Sequence, residues 1–115
     1  MTAAPLLSVI ETNAFLAAAK GLLTDDERAA LVGMIAADPE CGDLIVGGGG
    51  VRKVRFAIGG RGKSGGVRVI YLYHSPGYPA FLLTVFAKNE RANLTKAETN
   101  ALAGVAKRII EIYGG

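Results

Sequence analysis

Apolar and polar positions along the chain change their spacing several times, and each change marks an element. Leu6 to Thr12 (LLSVIET) is apolar and partly β-branched, which predicts a first strand. Thr12 or Asn13 can cap a short helix through Phe15, Leu16 and neighbouring alanines, closed by Gly21. Thr24-Asp25-Asp26-Glu27 is a capping-box pattern, with acids in the first turn to suit the helix dipole. The helix it opens carries Leu31, Met34 and Ile35 on one face and stops near Asp38-Pro39. Cys41 to Gly50 ends in four glycines and reads as a loop.

Period two begins at Val51. In Val51 to Ile58 (VRKVRFAI), Lys53 and Arg55 point one way, Val54 and Phe56 the other. Gly59 to Gly66 (GGRGKSGG) is a basic loop, and Val67 to His74 (VRVIYLYH) is a strand apolar on both faces. Ser75 to Pro79 makes a turn. Ala80 to Ala87 (AFLLTVFA) is the most apolar strand and is therefore expected at the centre of the sheet. Thr95 to Glu98 repeats the capping box and opens a last helix. Its stripe of Leu102, Val105, Ile109 and Ile112 is expected to pack on the sheet. The order is β-α-α-β-β-β-α, an α+β class with a mainly antiparallel four-stranded sheet packed with helices, read as a single domain over 1–115.

Composition narrows the class. With 50% hydrophobic and 20% charged residues, the 115-residue chain has the profile of a folded domain rather than a disordered one. No apolar run reaches the roughly 18–20 residues of a membrane span, and the N-terminus lacks the positive region of a secretory signal. Cys41 is the single cysteine, so no internal disulfide can form, which favours a cytoplasmic setting. With one histidine, His74, there is no ligand set for a structural zinc, and no metal is expected. His74 itself, beside a Pro/Gly turn with no acid near it in sequence, is expected as a surface or turn residue. Of Tyr71 and Tyr73, at least one is expected in the core.

Charge changes the picture more. Residues 1–50 set Lys20 and Arg28 against seven acids, net −5, and residues 92–115 carry +1, within a total of +3. Residues 51–91 hold Arg52, Lys53, Arg55, Arg61, Lys63, Arg68, Lys88 and Arg91 against Glu90 alone, net +7. Such a block is the footprint of a polyanionic partner. Lys53 and Arg55, two apart on a strand, share one face at about 6–7 Å, and Arg68 on the adjoining strand can complete a cluster. Such a cluster grips phosphates and stabilises charge developing at a phosphoryl centre. The sequence shows no acidic set for two metals and no histidine pair for acid–base work. Any catalysis is then metal-free, with Lys, Arg or Tyr moving protons.

Ala57 to Ser64 (AIGGRGKS) satisfies a relaxed phosphate-loop pattern, but that chemistry needs a helix N-terminus immediately after the loop. Here a β-branched, aromatic strand follows, so no nucleotide cofactor is expected. Arg61 and Lys63 read instead as loop cations that touch an RNA backbone.

In this order, VRKVRF, the glycine-rich basic hairpin, GGVRVIYLYH and FAKNERANLTKAE resemble the RelE/HigB toxins of bacterial type II toxin–antitoxin pairs, most of all the HigB-like branch. The resemblance covers nearly the whole chain. It implies a RelE-like fold and a ribosome-dependent mRNA endonuclease acting in the decoding A site. Cleavage there is metal-free, by attack of the RNA 2′-hydroxyl on the neighbouring phosphate, and arrests translation. It also implies a cognate antitoxin with a helix-turn-helix DNA-binding domain, docked on the last helix or on the others. Carried onto this sequence, the catalytic set is Lys53, Arg55, Arg68 and Lys88, while Arg52, Arg61, Lys63, Asn89 and Arg91 position RNA. The RelE branch has an arginine where Asn89 stands and a tyrosine base near the start of the last helix, where 92–98 has none. Two other readings share the resemblance or the charge: a gyrase-inhibiting toxin of the ParE type, and a non-catalytic RNA-binding module.

Overall fold

The computed structural model describes residues 7–59, 66–88 and 93–113. Along the chain run β1 (Val9–Glu11), α1 (Asn13–Ala19), α2 (Asp25–Ala37), β2 (Asp43–Leu44), β3 (Val51–Phe56), β4 (Val67–Leu72), β5 (Ala80–Ala87) and α3 (Lys96–Ile112). The protein is α+β, with three helices against one five-stranded mixed sheet, a layout consistent with a RelE-like fold.

Local chemistry explains where the helices begin. Phe15 N–H donates to Thr12 Oγ1 at 3.1 Å, and the Thr12 hydroxyl donates to the Leu82 carbonyl at 2.7 Å, so one residue caps α1 and ties it to β5. Both predicted capping boxes form: Thr24 with Glu27 at α2, Thr95 with Glu98 at α3. Arg28 on α2 reaches Glu11 of β1 at 2.8 Å, which joins the acidic N-terminal half of the chain to the sheet.

The strand order is β1-β5-β4-β3-β2, antiparallel except for β1 against β5. Three expectations change here. The sheet gains a fifth strand, because Asp43 and Leu44, within the expected Cys41–Gly50 loop, pair with Lys53 and Arg52. Two exposed residues carry no periodic signal, so only the pairing reveals them. The central strand is β4, buried at all six positions, while β5 lies between β4 and β1. Composition cannot rank two interior strands, since both are covered on two faces. Finally, Val105 and Ile112 do not pack on the sheet; they are 45% and 72% exposed. The inner side of α3 runs instead through Leu102, Ala106, Ile109 and Ile110, because the buried stripe is centred on the small Ala106, which permits close approach.

Two cores result, one on each sheet face. Phe15, Leu31 and Ile35 from α1 and α2 pack on Val67, Val69, Tyr71 and Leu82. On the other face Ala106 and its neighbours cover Val51, Ile70, Leu72, Phe81 and Leu83. The register shifts between Ile70 and Tyr71: Ile70 faces Thr84 while Tyr71 faces Leu82, leaving Leu83 as the extra residue of a bulge. No described helix is long and apolar enough to cross a membrane.

Candidate functional site

The face under α3 is only partly covered. Alternation along β3 puts Val51, Lys53 and Arg55 on this face, and the β3–β4 register sets them opposite Leu72, Ile70 and Arg68. Val51, Ile70 and Leu72 lie in the core beneath α3. Lys53, Arg55 and Arg68 lie beyond it and, with Asp43 and Asn93, line an open cleft of about 360 Å³.

Arg55 and Arg68 stand directly across from one another. Like charges at such a position repel, by roughly 0.2–1 kcal/mol relative to a neutral pair. Arg68 is 7% exposed and lines the cleft. Arg55 is exposed and, among the described residues, makes no hydrogen bond or ion pair. Lys53 stands next on the same face and donates from Nζ to Asn93 Oδ1 at 3.2 Å. Three cations on adjoining positions of a sheet are a seat for an oxyanion, which would relieve their mutual repulsion. A phosphodiester held there would have its developing negative charge met by fixed donors.

The remaining sequence-derived positions separate. Lys88 is the first residue after β5, exposed, its N–H donating to the Gly66 carbonyl at 3.2 Å. It lies at the same sheet end as Arg68 but does not line the cleft. Arg52 faces the opposite way. It lies across from Tyr71, donates from Nη1 to the Gly42 carbonyl at 2.7 Å, and approaches Glu40 at 3.8 Å. The structure does not bring it together with Lys53, Arg55 and Arg68; it braces the segment before β2. Arg61, Lys63, Asn89 and Arg91 lie outside the described residues.

Two cleft residues were missed from sequence: Asp43 and Asn93. Asn93 precedes the Thr95 capping box, so its place at a helix entrance was available, but not its neighbour Lys53, forty residues away. Asp43 reaches the cleft only because β2 pairs with β3.

A buried network holds β2 in place. The Tyr71 hydroxyl donates to the Pro39 carbonyl and accepts from Gly42 N–H, both at 2.8 Å, and Cys41 Sγ lies 3.7 Å away. Burial is the main cause that pushes the Tyr71 phenol far above its ordinary range. Gly42 is required, since a Cβ there would meet the Lys53 carbonyl and the Tyr71 hydroxyl at 2.9 Å. Gly66, with φ +68°, opens β4, and a side chain on it would collide with the Phe56 carbonyl. After it comes β4, the strand that the sequence predicts at this point.

Of the other aromatic positions, Tyr71 is fully buried, Tyr73 is half-buried, and His74 is exposed with its ring 5.5 Å from that of Tyr78. All three lie toward the Leu72 end of β4, away from Arg68. No group of three or more His, Cys, Asp or Glu side chains among the described residues is placed to hold a metal ion.

A family model described as the RelE toxin of the RelE / RelB toxin–antitoxin system matches residues 9–114.

Proposed function

Because the chain belongs to the RelE toxin family, and is thus the toxin of a toxin–antitoxin system, we propose that it arrests translation by cutting mRNA on the ribosome. The observation that carries this reading is the Arg55–Arg68 pair, opposed across β3 and β4 beside Lys53 on an open sheet face. Cations held by neighbouring strands of a sheet suit a phosphate whose charge rises during reaction. The two guanidiniums take the non-bridging oxygens, and Lys53 gives a proton to the departing O5′. The attacking group is the RNA's own 2′-hydroxyl, which makes RNA rather than DNA the substrate. Lys88 and the loop cations Arg61, Lys63 and Arg91, with Asn89, then hold the flanking backbone; the order of motifs points to the HigB-like branch.

The partners in this reading are mRNA in the ribosomal A site and a cognate antitoxin with a helix-turn-helix DNA-binding domain. The test is a programmed ribosome with the purified protein. The expected products end in a 2′,3′-cyclic phosphate and a 5′-hydroxyl, and a 2′-deoxy nucleotide at the cut site blocks the reaction. Intact mRNA together with a DNA-damage response on induction supports the gyrase-inhibiting alternative. Intact mRNA without toxicity supports the RNA-binding module.

A further inference from the structure

Five of the described residues line the cationic cleft, and one of these is a carboxylate: Asp43, at the first position of β2. Its register partner is Lys53, on the neighbouring strand of the same sheet. Opposite charges so placed ordinarily pair. Here Lys53 Nζ is turned to Asn93 Oδ1, and the Asp43 side chain makes no hydrogen bond or ion pair among the described residues. An exposed, unengaged carboxylate beside three cations does not help to grip a phosphate, since it repels the ligand the cations attract. Its benefit must arise in a step that needs a proton acceptor.

Asp43 is also anchored for such a step. The residue before it, Gly42, is fixed by its N–H to the Tyr71 hydroxyl and by its carbonyl to Arg52 Nη1. A carboxylate at the rim of a phosphate seat, on backbone that is held from both sides, meets the placement a general base requires.

We propose that Asp43 is the general base of the cleavage reaction, a reading that rests on the mRNA-cutting function above. The Asp43 carboxylate takes the proton of the 2′-hydroxyl as O2′ forms its bond to phosphorus. The P–O5′ bond breaks, and O5′ takes a proton from the Lys53 ammonium. The products are a 2′,3′-cyclic phosphate and a 5′-hydroxyl; the protonated Asp43 and neutral Lys53 then exchange protons through water. Arg55 and Arg68 hold the phosphorane charge throughout. This assigns the Tyr71–Gly42–Arg52 network a positioning role: it sets the carboxylate beside the seat.

Single-turnover cleavage on programmed ribosomes tests the assignment, with Asp43→Asn, Asp43→Glu and Lys53→Met compared. Asp43→Asn is expected to cut about 10²–10⁴-fold more slowly and to bind the ribosome complex no more weakly. Asp43→Glu recovers part of the rate. A substrate with sulfur in place of O5′ leaves without a proton, so it rescues Lys53→Met and not Asp43→Asn. Cleavage by Asp43→Asn at the wild-type rate, or its rescue by the sulfur substrate, overturns the assignment. Thermal melts show that the Asn variant is folded, as an exposed Asp-to-Asn change should be. Wild-type protein that leaves mRNA uncut overturns the functional reading itself, and does so in the control lane.

Discussion

One face of the sheet divides into two halves made by the same strands. Near α3, Val51, Ile70 and Leu72 are buried under Leu102, Ala106 and Ile109. Two residues further on, Lys53, Arg55 and Arg68 occupy the same face and, among the described residues, line an open cleft. The alternation, backbone and twist are shared, so the difference lies in side chains and in where α3 stops. Its Thr95 cap and the preceding Asn93 end the cover at the edge of the cationic group. The covered half holds the molecule together by removing apolar area from water. The cationic half places like charges across neighbouring strands, an arrangement suited to a ligand rather than to packing.

The comparison breaks most sharply at Ile70, the register partner of Lys53. Ile70→Ala should lower folding stability by about 2–5 kcal/mol through the lost burial and the cavity left behind. Denaturant unfolding measures this, and the folded fraction should cut mRNA as before. Arg55→Ala is expected to invert the pattern. Cleavage on ribosomes falls about 10²–10³-fold, or about 2.7–4 kcal/mol of barrier. Its unfolding midpoint should hold or rise slightly, because a cross-strand repulsion disappears. Equal losses of stability in both variants would show that the two halves are one structural unit.

Tyr71 gives a smaller effect with a pH signature. Tyr71→Phe leaves Gly42 N–H and the Pro39 carbonyl without their partner, at about 1–3 kcal/mol. The folded phenol is pushed above its ordinary 10.0, chiefly by burial. Its contribution is therefore complete below pH 10 and is lost as pH rises through the folded value, since only the unfolded chain ionises readily. Alkaline denaturation curves should show that downward limb in the wild type and lose Tyr71's share of it in the Phe variant. The smallest effect lies at the far end of α3. Ile112 is 72% exposed, so Ile112→Ser should change stability by no more than about 0.5 kcal/mol. A larger loss in a thermal melt would extend the covered half beyond Ile109.

What could be read along the chain was what repeats locally. The capping boxes at Thr24 and Thr95 form as their residues predict, because a cap satisfies backbone donors within one turn. Period two through VRKVRF placed Lys53 and Arg55 on one face, and the hairpin brought Arg68 across from them. Arg52, next in that same run, belongs elsewhere: adjacent strand residues point to opposite faces, and only Tyr71 and Gly42 behind it show what it holds.

By itself, then, the sequence determined the helix starts, the three long strands and the cationic character of their shared face, all set by chemistry within a few residues. The tertiary structure alone decided that β4 rather than β5 is central, that β1 runs parallel at one edge, and that β2 exists at the other. It also chose which flank of α3 is buried and brought Asp43 and Asn93 to the cations. These depend on hydrogen bonds and packing between segments tens of residues apart, and no local period in the chain encodes such partners.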